Sequence, residues 1–336
     1  MINALAGNMQ ELGHDVTVAA HTVRVEPPSD IKVLKVRPAD LCKIAEKHDM
    51  THIHLSYPFT RAAVRDKLSP YLLTHHGYTP WHLVPGFSNK AIHLGLRWRY
   101  SSLLQRVPLI TAVSPFVSEQ LRELYALDTV EIPNGVEEVF FEEGDDIALD
   151  GDPVIFNSTG WNWQKGVDLL VRDFSTIKQT HPEAKLYVVV PPAHRDLLNK
   201  HVADNQLKLG DDVVALPYME LERLSSYYSS TDLYLLTSRW ESFGLPIIES
   251  FASGTPVLGR RVEDARVTHI EESGGGLLYG NETQLSQRLE KILDERPSYS
   301  VRSREYAQRF HWKDVVDQYL ELYQRIQADP KASTNT

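Results

Sequence analysis

The stretch R-W-E-S-F-G-L-P-I-I-E-S-F-A-S-G-T-P-V, residues 239–257, sets two glutamates, Glu241 and Glu249, around an apolar run. Proline suits the first turn of a helix, where its missing N–H costs no hydrogen bond, so the pattern predicts a helix over residues 246–253. Gly254 is a typical stop for such a helix before the next strand begins. One glutamate is therefore predicted in a loop and the other on the helix that follows it.

Outward from this stretch, short β-rich runs alternate with helix-like segments along most of the chain. Such alternation implies βα units and parallel sheets covered by helices on both faces. We therefore predict an α/β fold with two successive Rossmann-like, doubly wound domains. The predicted strands occupy residues 14–20, 50–56, 71–76, 109–114, 129–134, 154–159, 185–190, 212–218, 232–238 and 255–259.

The domain boundaries follow from a break in this alternation. The segment 142–153 is acidic, contains glycine and has no aromatic residue, which is typical of a linker. The predicted domains are 1–146 and 147–310, followed by a closing helix at 311–328 and a disordered tail at 329–336. The chain opens with a helix-like segment where a doubly wound domain usually begins with a strand, so we expect that the first strand of the N-terminal domain is missing.

Composition excludes several classes of protein. The chain of 336 residues has a formal net charge of −10, which argues against general nucleic-acid binding. No apolar run approaches the roughly 20 residues of a membrane span, and the single cysteine, Cys42, fits a reducing compartment, so a cytoplasmic location is expected. Lys and Arg nevertheless outnumber Asp and Glu within residues 1–130. This bias is either chance variation between domains or a face that meets an anionic acceptor or lipid surface.

The two glutamates suit a particular chemistry. A helix that starts at the carboxyl edge of a parallel sheet offers free N–H groups to a phosphate. Carboxylates accept hydrogen bonds from paired hydroxyls, so Glu241 and Glu249 could hold two polyols on either side of that phosphate. The alternative is that Glu241 merely caps the helix and Glu249 is exposed.

The sequence around the two glutamates also resembles a known family. The stretch E-S-F-G-L-P-I-I-E looks like the signature glutamate pair of the retaining glycosyltransferases of family 4, which have the two-domain GT-B fold with a cleft between the domains. Further segments match the family in order and spacing, so that the resemblance covers nearly the whole chain; they are residues 111–121, 131–136, 159–170, 274–280 and 309–323. The resemblance implies that the N-terminal domain binds an acceptor and that the C-terminal domain binds a nucleoside-diphosphate sugar.

The resemblance also implies roles for individual residues. Lys165 would neutralise the diphosphate, Glu241 would face the donor sugar, and Glu249 would accept from the ribose hydroxyls. His76 matches the histidine near the reacting sugar, with its neighbour His75 as the alternative match. The implied donor-binding residues are Lys165, Glu241, Ser242, Phe243, Gly244, Leu245 and Glu249, and the further cleft candidates are Asn134, Gly135, His75, Gly160, Trp161 and Arg239.

A fixed lysine and helix-terminal amides stabilise a departing diphosphate without a metal, so no metal and no cofactor are expected. The sequence departs from the family at Gly160 and Trp161, where an arginine usually precedes the lysine. The candidate substitutes are Arg239, Arg260 and Arg261. Together with the missing first strand, this departure keeps a second reading open, a non-catalytic sugar-nucleotide-binding subunit. The third reading is a nucleotide-sugar epimerase of the same architecture.

The sequence contains three weaker signals. The Asp-Gly-Asp at 150–152 resembles the metal motif of another glycosyltransferase class, but no strand leads into it. The histidines at 52, 54, 75 and 76 are predicted polar strand-end residues rather than metal ligands. The segment 89–106 mixes Leu, Ile and Trp with Lys and Arg, which is compatible either with an ordinary helix or with peripheral membrane contact. The predicted acceptor is a glycan or a lipid-linked glycan, and its contacts are predicted in the aromatic loop 75–89.

Overall fold

The computed structural model describes residues 1–23 and 31–328, so the predicted tail at 329–336 lies outside the described residues. Strands and helices alternate along the described chain, as the sequence pattern predicts. The strands are β1 Thr17–Ala20, β2 Lys32–Lys35, β3 Thr51–His54, β4 Tyr71–His75, β5 Ile110–Ala112, β6 Val130–Glu131, β7 Val154–Asn157, β8 Lys185–Val189, β9 Val213–Leu216, β10 Leu233–Leu236, β11 Val257–Arg260 and β12 Gly276–Tyr279.

The helices cover these strands. They are α1 Ile2–Glu11, α2 Leu41–Ala45, α3 Tyr57–Arg65, α4 Phe87–Leu104, α5 Pro115–Tyr125, α6 Val167–Thr180, α7 Arg195–Asp204, α8 Leu221–Ser229, α9 Leu245–Ala252, α10 Ala265–Ser273, α11 Glu282–Asp294, α12 Arg296–Ala307 and α13 Trp312–Ala328. The helix predicted over residues 246–253 is α9, displaced by one residue. The chain forms two compact units: unit 1 contains Met1–Gly135 and the C-terminal segment from Trp312, and unit 2 contains Val136–His311.

Unit 1 has parallel strands throughout its described residues. β1 pairs with β2, and a separate four-stranded sheet has the order β3-β4-β5-β6. The C-terminal helix α13 packs against α1, and the two helices share an apolar core with the sheet. The buried members of this core are Leu5, Met9, Leu72, Ile132, Trp312, Val315, Val316, Tyr319, Leu322 and Ile326.

Unit 2 is a doubly wound domain. Its six strands are all parallel and have the order β12-β11-β10-β7-β8-β9, so the winding direction reverses between β7 and β10. Parallel strands buried on both faces read as continuous apolar runs, and every residue of β7 and of β10 is buried. Ligands of open α/β sheets bind at the carboxyl ends of the strands beside such a reversal. The loops that follow β7 and β10 are therefore the expected site.

No helix within residues 1–23 and 31–328 is both long and apolar enough to cross a membrane.

Candidate functional site

The loop after β10 carries Glu241, whose side chain is buried although it bears a carboxylate. The backbone N–H of Glu241 donates to Oδ2 of Asp264 over 2.8 Å. Phe243 is also buried and packs edge-on against His269 and Phe310, with ring centroids 5.0 and 5.8 Å away. Backbone and aromatic contacts thus support the conformation of this loop.

Gly244 connects the loop to α9. Its φ of +88° is a conformation that favours glycine, and a Cβ at this position would lie 2.8 Å from Cδ1 of Ile247. Gly244 is the N-cap residue of α9, Pro246 lies in the first turn, and no side chain among the described residues caps the helix. The first turn of α9 therefore offers backbone amides and a positive dipole end to an anion.

Lys165 reaches Glu241 from the loop between β7 and α6. It ends a short 3-10 helix over Trp163–Lys165, which is capped by the side chain of Asn162. Nζ of Lys165 lies 2.8 and 3.0 Å from the two carboxylate oxygens of Glu241. The pair is partly shielded from solvent, since 20 % of the lysine side chain and 5 % of the glutamate side chain are exposed. The fold thus brings a cation and a buried carboxylate together beside the start of α9.

Glu249 lies on α9 and is half-buried. Burial raises the pKa of its carboxyl to about 7, while the hydrogen bond from Tyr228 and the positive charge of Lys165 act in the opposite direction. The Tyr228 hydroxyl donates to Oε2 of Glu249 over 3.0 Å. Glu249 is therefore not a freely solvated surface acid, in contrast to the alternative considered from the sequence.

A buried ion pair supports the same loop and was not identified in the sequence. Arg266 and Asp264 have fully buried side chains, and Nε of Arg266 donates to Oδ1 of Asp264 over 2.8 Å. Arg266 also donates to the carbonyl oxygens of Ser238 and Arg260 over 2.7 and 2.8 Å. The ends of β10 and β11 are thereby joined beneath Glu241. Asp264 and Arg266 lie two residues apart, but the backbone groups that they bind at Glu241 and Ser238 are 23 and 28 residues away, so the local sequence does not signal this role.

The arginines considered as phosphate ligands all have acidic partners. Arg239 makes a bidentate pair with Asp168 over 2.6 and 2.9 Å, and its guanidinium lies over the Trp163 ring. Arg260 pairs with Asp173 over 3.0 Å. Arg261 pairs with two glutamates, at positions 263 and 271, over 3.0 and 2.8 Å. Each of these guanidinium groups is thus paired with at least one carboxylate of unit 2.

Gly160 and Trp161 precede Lys165 in the same loop. Trp161 donates from Nε1 to the carbonyl oxygen of Val189 over 2.8 Å, which anchors the loop to the end of β8. Around Gly160 there is open space, since no atom of the described residues other than its chain neighbours lies within 4 Å of an ideal Cβ.

The remaining predicted residues belong to unit 1. Nδ1 of His54 lies 3.2 Å from Nε2 of His76, and His54 stacks on His52 with ring centroids 4.1 Å apart. His75 points the other way and is fully buried, with its Nδ1 accepting from the N–H of Gly77 over 3.0 Å. Burial lowers the pKa of His76 to about 4 and that of His75 to about 3. Of the two neighbours, His76 is the one with exposed surface.

Asn134 and Gly135 follow β6, and Gly135 lies directly against the ring of Trp312. Asn134 is buried. Asp150 of the Asp-Gly-Asp segment lies 3.7 Å from Lys185 and belongs to neither a strand nor a helix. Among the described residues, no group of three or more His, Cys, Asp or Glu side chains is arranged to hold a metal ion.

Comparisons with known proteins agree with this architecture. The family model "Glycosyl transferases group 1" matches residues 141–310, and "Glycosyltransferase Family 4" matches residues 1–139. A D-inositol 3-phosphate glycosyltransferase from Acidothermus cellulolyticus is 28 % identical over 239 residues, which is 64 % of this chain and 53 % of that protein. The chain thus spans about half the length of this curated relative.

Solved structures give the same fold. The sucrose-phosphate synthase from Thermosynechococcus elongatus superimposes with a TM-score of 0.78 at 19 % identity, covering 97 % of this chain and 92 % of that one. An Anabaena protein solved in complex with UDP and glucose has a TM-score of 0.75 at 15 % identity, covering 96 % and 95 %. The predicted GT-B fold, with its two Rossmann-like α/β domains, is confirmed.

Proposed function

The chain belongs to the glycosyltransferases of family 4, the glycosyl transferases group 1, and from this premise we propose that it is a retaining, hexosyltransferase-type enzyme. It moves a sugar from a nucleoside-diphosphate sugar to a hydroxyl of a glycan or lipid-linked glycan. The observation that carries the proposal is the Lys165–Glu241 ion pair beside the uncapped start of α9. The UDP and glucose complex of the Anabaena neighbour supports this class of donor.

The donor site is assigned to unit 2. The diphosphate binds Lys165 and the first amides of α9, which supply positive charge where negative charge develops as the glycosyl–phosphate bond breaks. Glu241 accepts hydrogen bonds from the donor sugar, and Glu249 accepts from the ribose hydroxyls. Because Lys165 and the amides carry out the charge stabilisation, the proposal requires no divalent metal and no cofactor. Turnover is therefore expected to persist in a chelator such as EDTA.

The ion pair also explains how the fold tolerates a buried acid. A buried carboxylate without a partner is costly, and Lys165 compensates the negative charge of Glu241. Sugar hydroxyls then take over part of the hydrogen bonding to Glu241, while Lys165 turns toward the diphosphate. Retention of configuration proceeds either by front-face attack or by a covalent intermediate. His76 is included as a catalytic residue on the family resemblance.

The experiment that tests the proposal measures nucleotide release. A thermal-shift screen of UDP-, GDP- and ADP-sugars first selects the donor. Release of the nucleoside diphosphate is then followed for the wild type, Lys165→Ala and Glu241→Ala. Both variants are expected to lose about 100-fold or more in turnover, as when an oxyanion-type contact is removed. Glu263→Ala is the matched control, because its exposed side chain pairs with Arg261 on the rim of the same unit.

The alternatives give different results. An epimerase converts the sugar nucleotide into its epimer without any acceptor, which chromatography of the donor detects. A non-catalytic subunit binds the nucleotide but releases none above background, equally in the wild type and both variants. Either result contradicts the transferase proposal.

A lipid-linked acceptor is favoured by one surface of unit 1. Helix α4 buries Tyr100 and Leu104 on one face. On the opposite face, Phe87, Leu94 and Trp98 recur at helical spacing and are 88 %, 46 % and 82 % exposed. An exposed stripe of large apolar side chains on a helix marks an interaction surface.

Basic side chains surround this stripe. Lys90, Arg97 and Arg99 lie on the same helix, which carries no acidic residue, and Nζ of Lys90 lies 5.6 Å from the centroid of the exposed Trp81 ring. Aromatic and aliphatic side chains bordered by Lys and Arg fit the interface of an anionic bilayer. The proposal therefore includes peripheral contact of residues 87–104 with an anionic lipid surface.

Co-sedimentation with vesicles tests this contact. The wild type is expected to bind phosphatidylglycerol-containing vesicles and not vesicles of phosphatidylcholine alone. Leu94→Ser combined with Trp98→Ser should reduce binding about tenfold or more, because two large apolar side chains no longer insert into the lipid interface. Leu197→Ser is the control, since Leu197 is an exposed leucine on α7 of unit 2. Equal binding by the double variant and the control contradicts the contact.

A further inference from the structure

Tyr228 connects two parts of the donor site. It lies on α8, fully buried, with its ring packed among Phe140, Phe156 and Tyr234 at centroid distances of 5.8, 5.0 and 5.4 Å. Its hydroxyl reaches Oε2 of Glu249 on α9 over 3.0 Å. The aromatic surroundings fix the position of this hydroxyl, so the carboxylate meets a donor with little freedom to move.

The same hydroxyl also contacts the loop that follows β7. Oγ of Ser158 lies 2.6 Å from the Tyr228 oxygen. A tyrosine has one hydroxyl proton, and an ionised carboxylate only accepts. When Glu249 is ionised, Tyr228 therefore donates to Glu249 and Ser158 donates to Tyr228. This chain of hydrogen bonds joins the helix that carries Glu249 to the loop that carries Lys165.

We propose that Tyr228 is a positioning residue that holds the Glu249 carboxylate toward the ribose and sets the pH range in which the donor binds. The inference rests on the proposed function, because it assigns Glu249 to the ribose hydroxyls. It adds a residue that the glutamate motif does not contain. Tyr228 itself is too deeply buried to act on the ribose directly.

The charges around Glu249 support a dependence on pH. Tyr228 from α8 and Lys165 from the loop after β7 favour the ionised form of Glu249, whereas burial and the negative charge of Glu137 oppose it. Tyr234 from β10 lies close enough to sense the charge of Glu249. The balance leaves the pKa of Glu249 at about 7, within the working range of an enzyme. Ribose hydroxyls donate to the carboxylate, so donor affinity is expected to rise as pH rises through this value.

Replacing Tyr228 by Phe keeps the ring and removes one hydrogen bond to the ionised carboxylate. The pKa of Glu249 then rises further, and the midpoint of the affinity profile moves to higher pH. If the pKa of Glu249 rises by about one unit, the nucleotide affinity of Tyr228→Phe is about eightfold below that of the wild type at pH 6.5 and less than twofold below it at pH 8.5. Ser158→Ala removes the donor on the other side of Tyr228 and is expected to move the midpoint in the same direction by a smaller amount.

Calorimetric titration with UDP, GDP and ADP between pH 5.5 and 9 tests the inference. The nucleotide with the highest affinity is used for the wild type, Y228F, S158A and E249Q, and Y227F is the matched control on the same helix. The terminal phosphate also titrates near pH 6, and the ratio of each variant's Kd to the wild-type Kd cancels that contribution. The expected result is a ratio for Y228F that falls as pH rises, a ratio near one for Y227F, and weak binding by E249Q throughout.

The possible failures are distinguishable. If E249Q binds the nucleotide as tightly as the wild type at every pH, the assignment of Glu249 to the ribose fails, and with it part of the proposed function. If E249Q binds weakly while Y228F and S158A keep the wild-type midpoint, the proposed function stands and the role of Tyr228 is overturned. A loss of affinity in Y228F that is equal at all pH values also overturns it, because a purely structural defect does not shift a titration. S158A keeps the test valid if Y228F fails to fold.

Discussion

Two adjacent histidines at the end of β4 show how strongly burial decides what a residue can do. His75 is fully buried, and its Nδ1 accepts from Gly77, so the ring proton lies on Nε2. That Nε2 has no hydrogen-bond partner among the described residues. His76 keeps exposed surface and contacts His54. A neutral, enclosed imidazole has a structural role, whereas its neighbour is able to meet a ligand.

His75 should make the stability of unit 1 sensitive to acid. Its pKa is lowered by burial to about 3, whereas an unfolded histidine titrates near 6.5. The stabilisation is therefore fully present above pH 6.5 and is lost progressively as pH falls toward 3, because the unfolded chain binds the proton more readily. When the pH is lowered from 7.5 to 5.0, the free energy of unfolding of the wild type is expected to fall by about 2 kcal/mol more than that of His75→Asn.

Urea denaturation at the two pH values measures this difference. His14→Asn is the control, because His14 is exposed in the same unit. An equal loss of unfolding free energy in His75→Asn and the wild type would show that His75 does not cause the acid sensitivity.

At the scale of elements, the loop between β7 and α6 depends on one glycine. Gly166 has a φ of +64°, and a Cβ there would lie 2.4 Å from the carbonyl oxygen of Thr237. The Thr237 hydroxyl in turn donates to the carbonyl oxygen of Gly166 over 3.0 Å. The close approach of these two segments places Lys165 next to the loop that carries Glu241.

Gly166→Ala is therefore expected to destabilise unit 2 by about 2–4 kcal/mol and to weaken nucleotide binding, since the loop has to move away from Thr237. Gly160→Ala in the same loop is the matched control: it has open space around it and is expected to change stability by less than about 0.5 kcal/mol. Thermal unfolding of both variants checks the difference in stability, and UDP titration of Gly166→Ala checks the effect on nucleotide binding. Equal losses of stability in the two variants would contradict the importance of the close approach between Gly166 and Thr237.

The sequence predicts the elements of this site better than their contacts. Helix α6 begins at Val167 and α9 at Leu245 because Gly166 and the Gly-Leu-Pro turn set local backbone geometry, which a sequence reveals. The contact of Tyr228 with Glu249 depends on how α8 and α9 pack around a sheet whose order is not the chain order. From sequence alone, Tyr228 reads as one more core aromatic on an amphipathic helix. Local sequence patterns therefore do not predict side-chain pairs that depend on tertiary packing.

At the scale of the whole molecule, unit 1 is assembled from two distant parts of the chain. The segment that begins at Trp312 follows all of unit 2 in sequence and yet contributes much of the apolar core of unit 1. Trp312 itself is 5 % exposed and lies against Gly135, the last residue of the first segment. The stability of unit 1 thus depends on a segment that is synthesised only after unit 2.

Trp312→Ala should therefore loosen unit 1. Truncating a buried tryptophan costs about 3–5 kcal/mol, and this cost is expected to fall on the elements that pack against α13. Hydrogen exchange followed by mass spectrometry measures it: peptides from β3, β4 and β5 should exchange faster, while those from β7, β8 and β10 change less. Trp98→Ala is the control in the same unit, because its side chain is 82 % exposed and its loss removes little packing. Equal acceleration in the strands of both units, or none in β3–β5, would show that α13 does not stabilise unit 1 through Trp312.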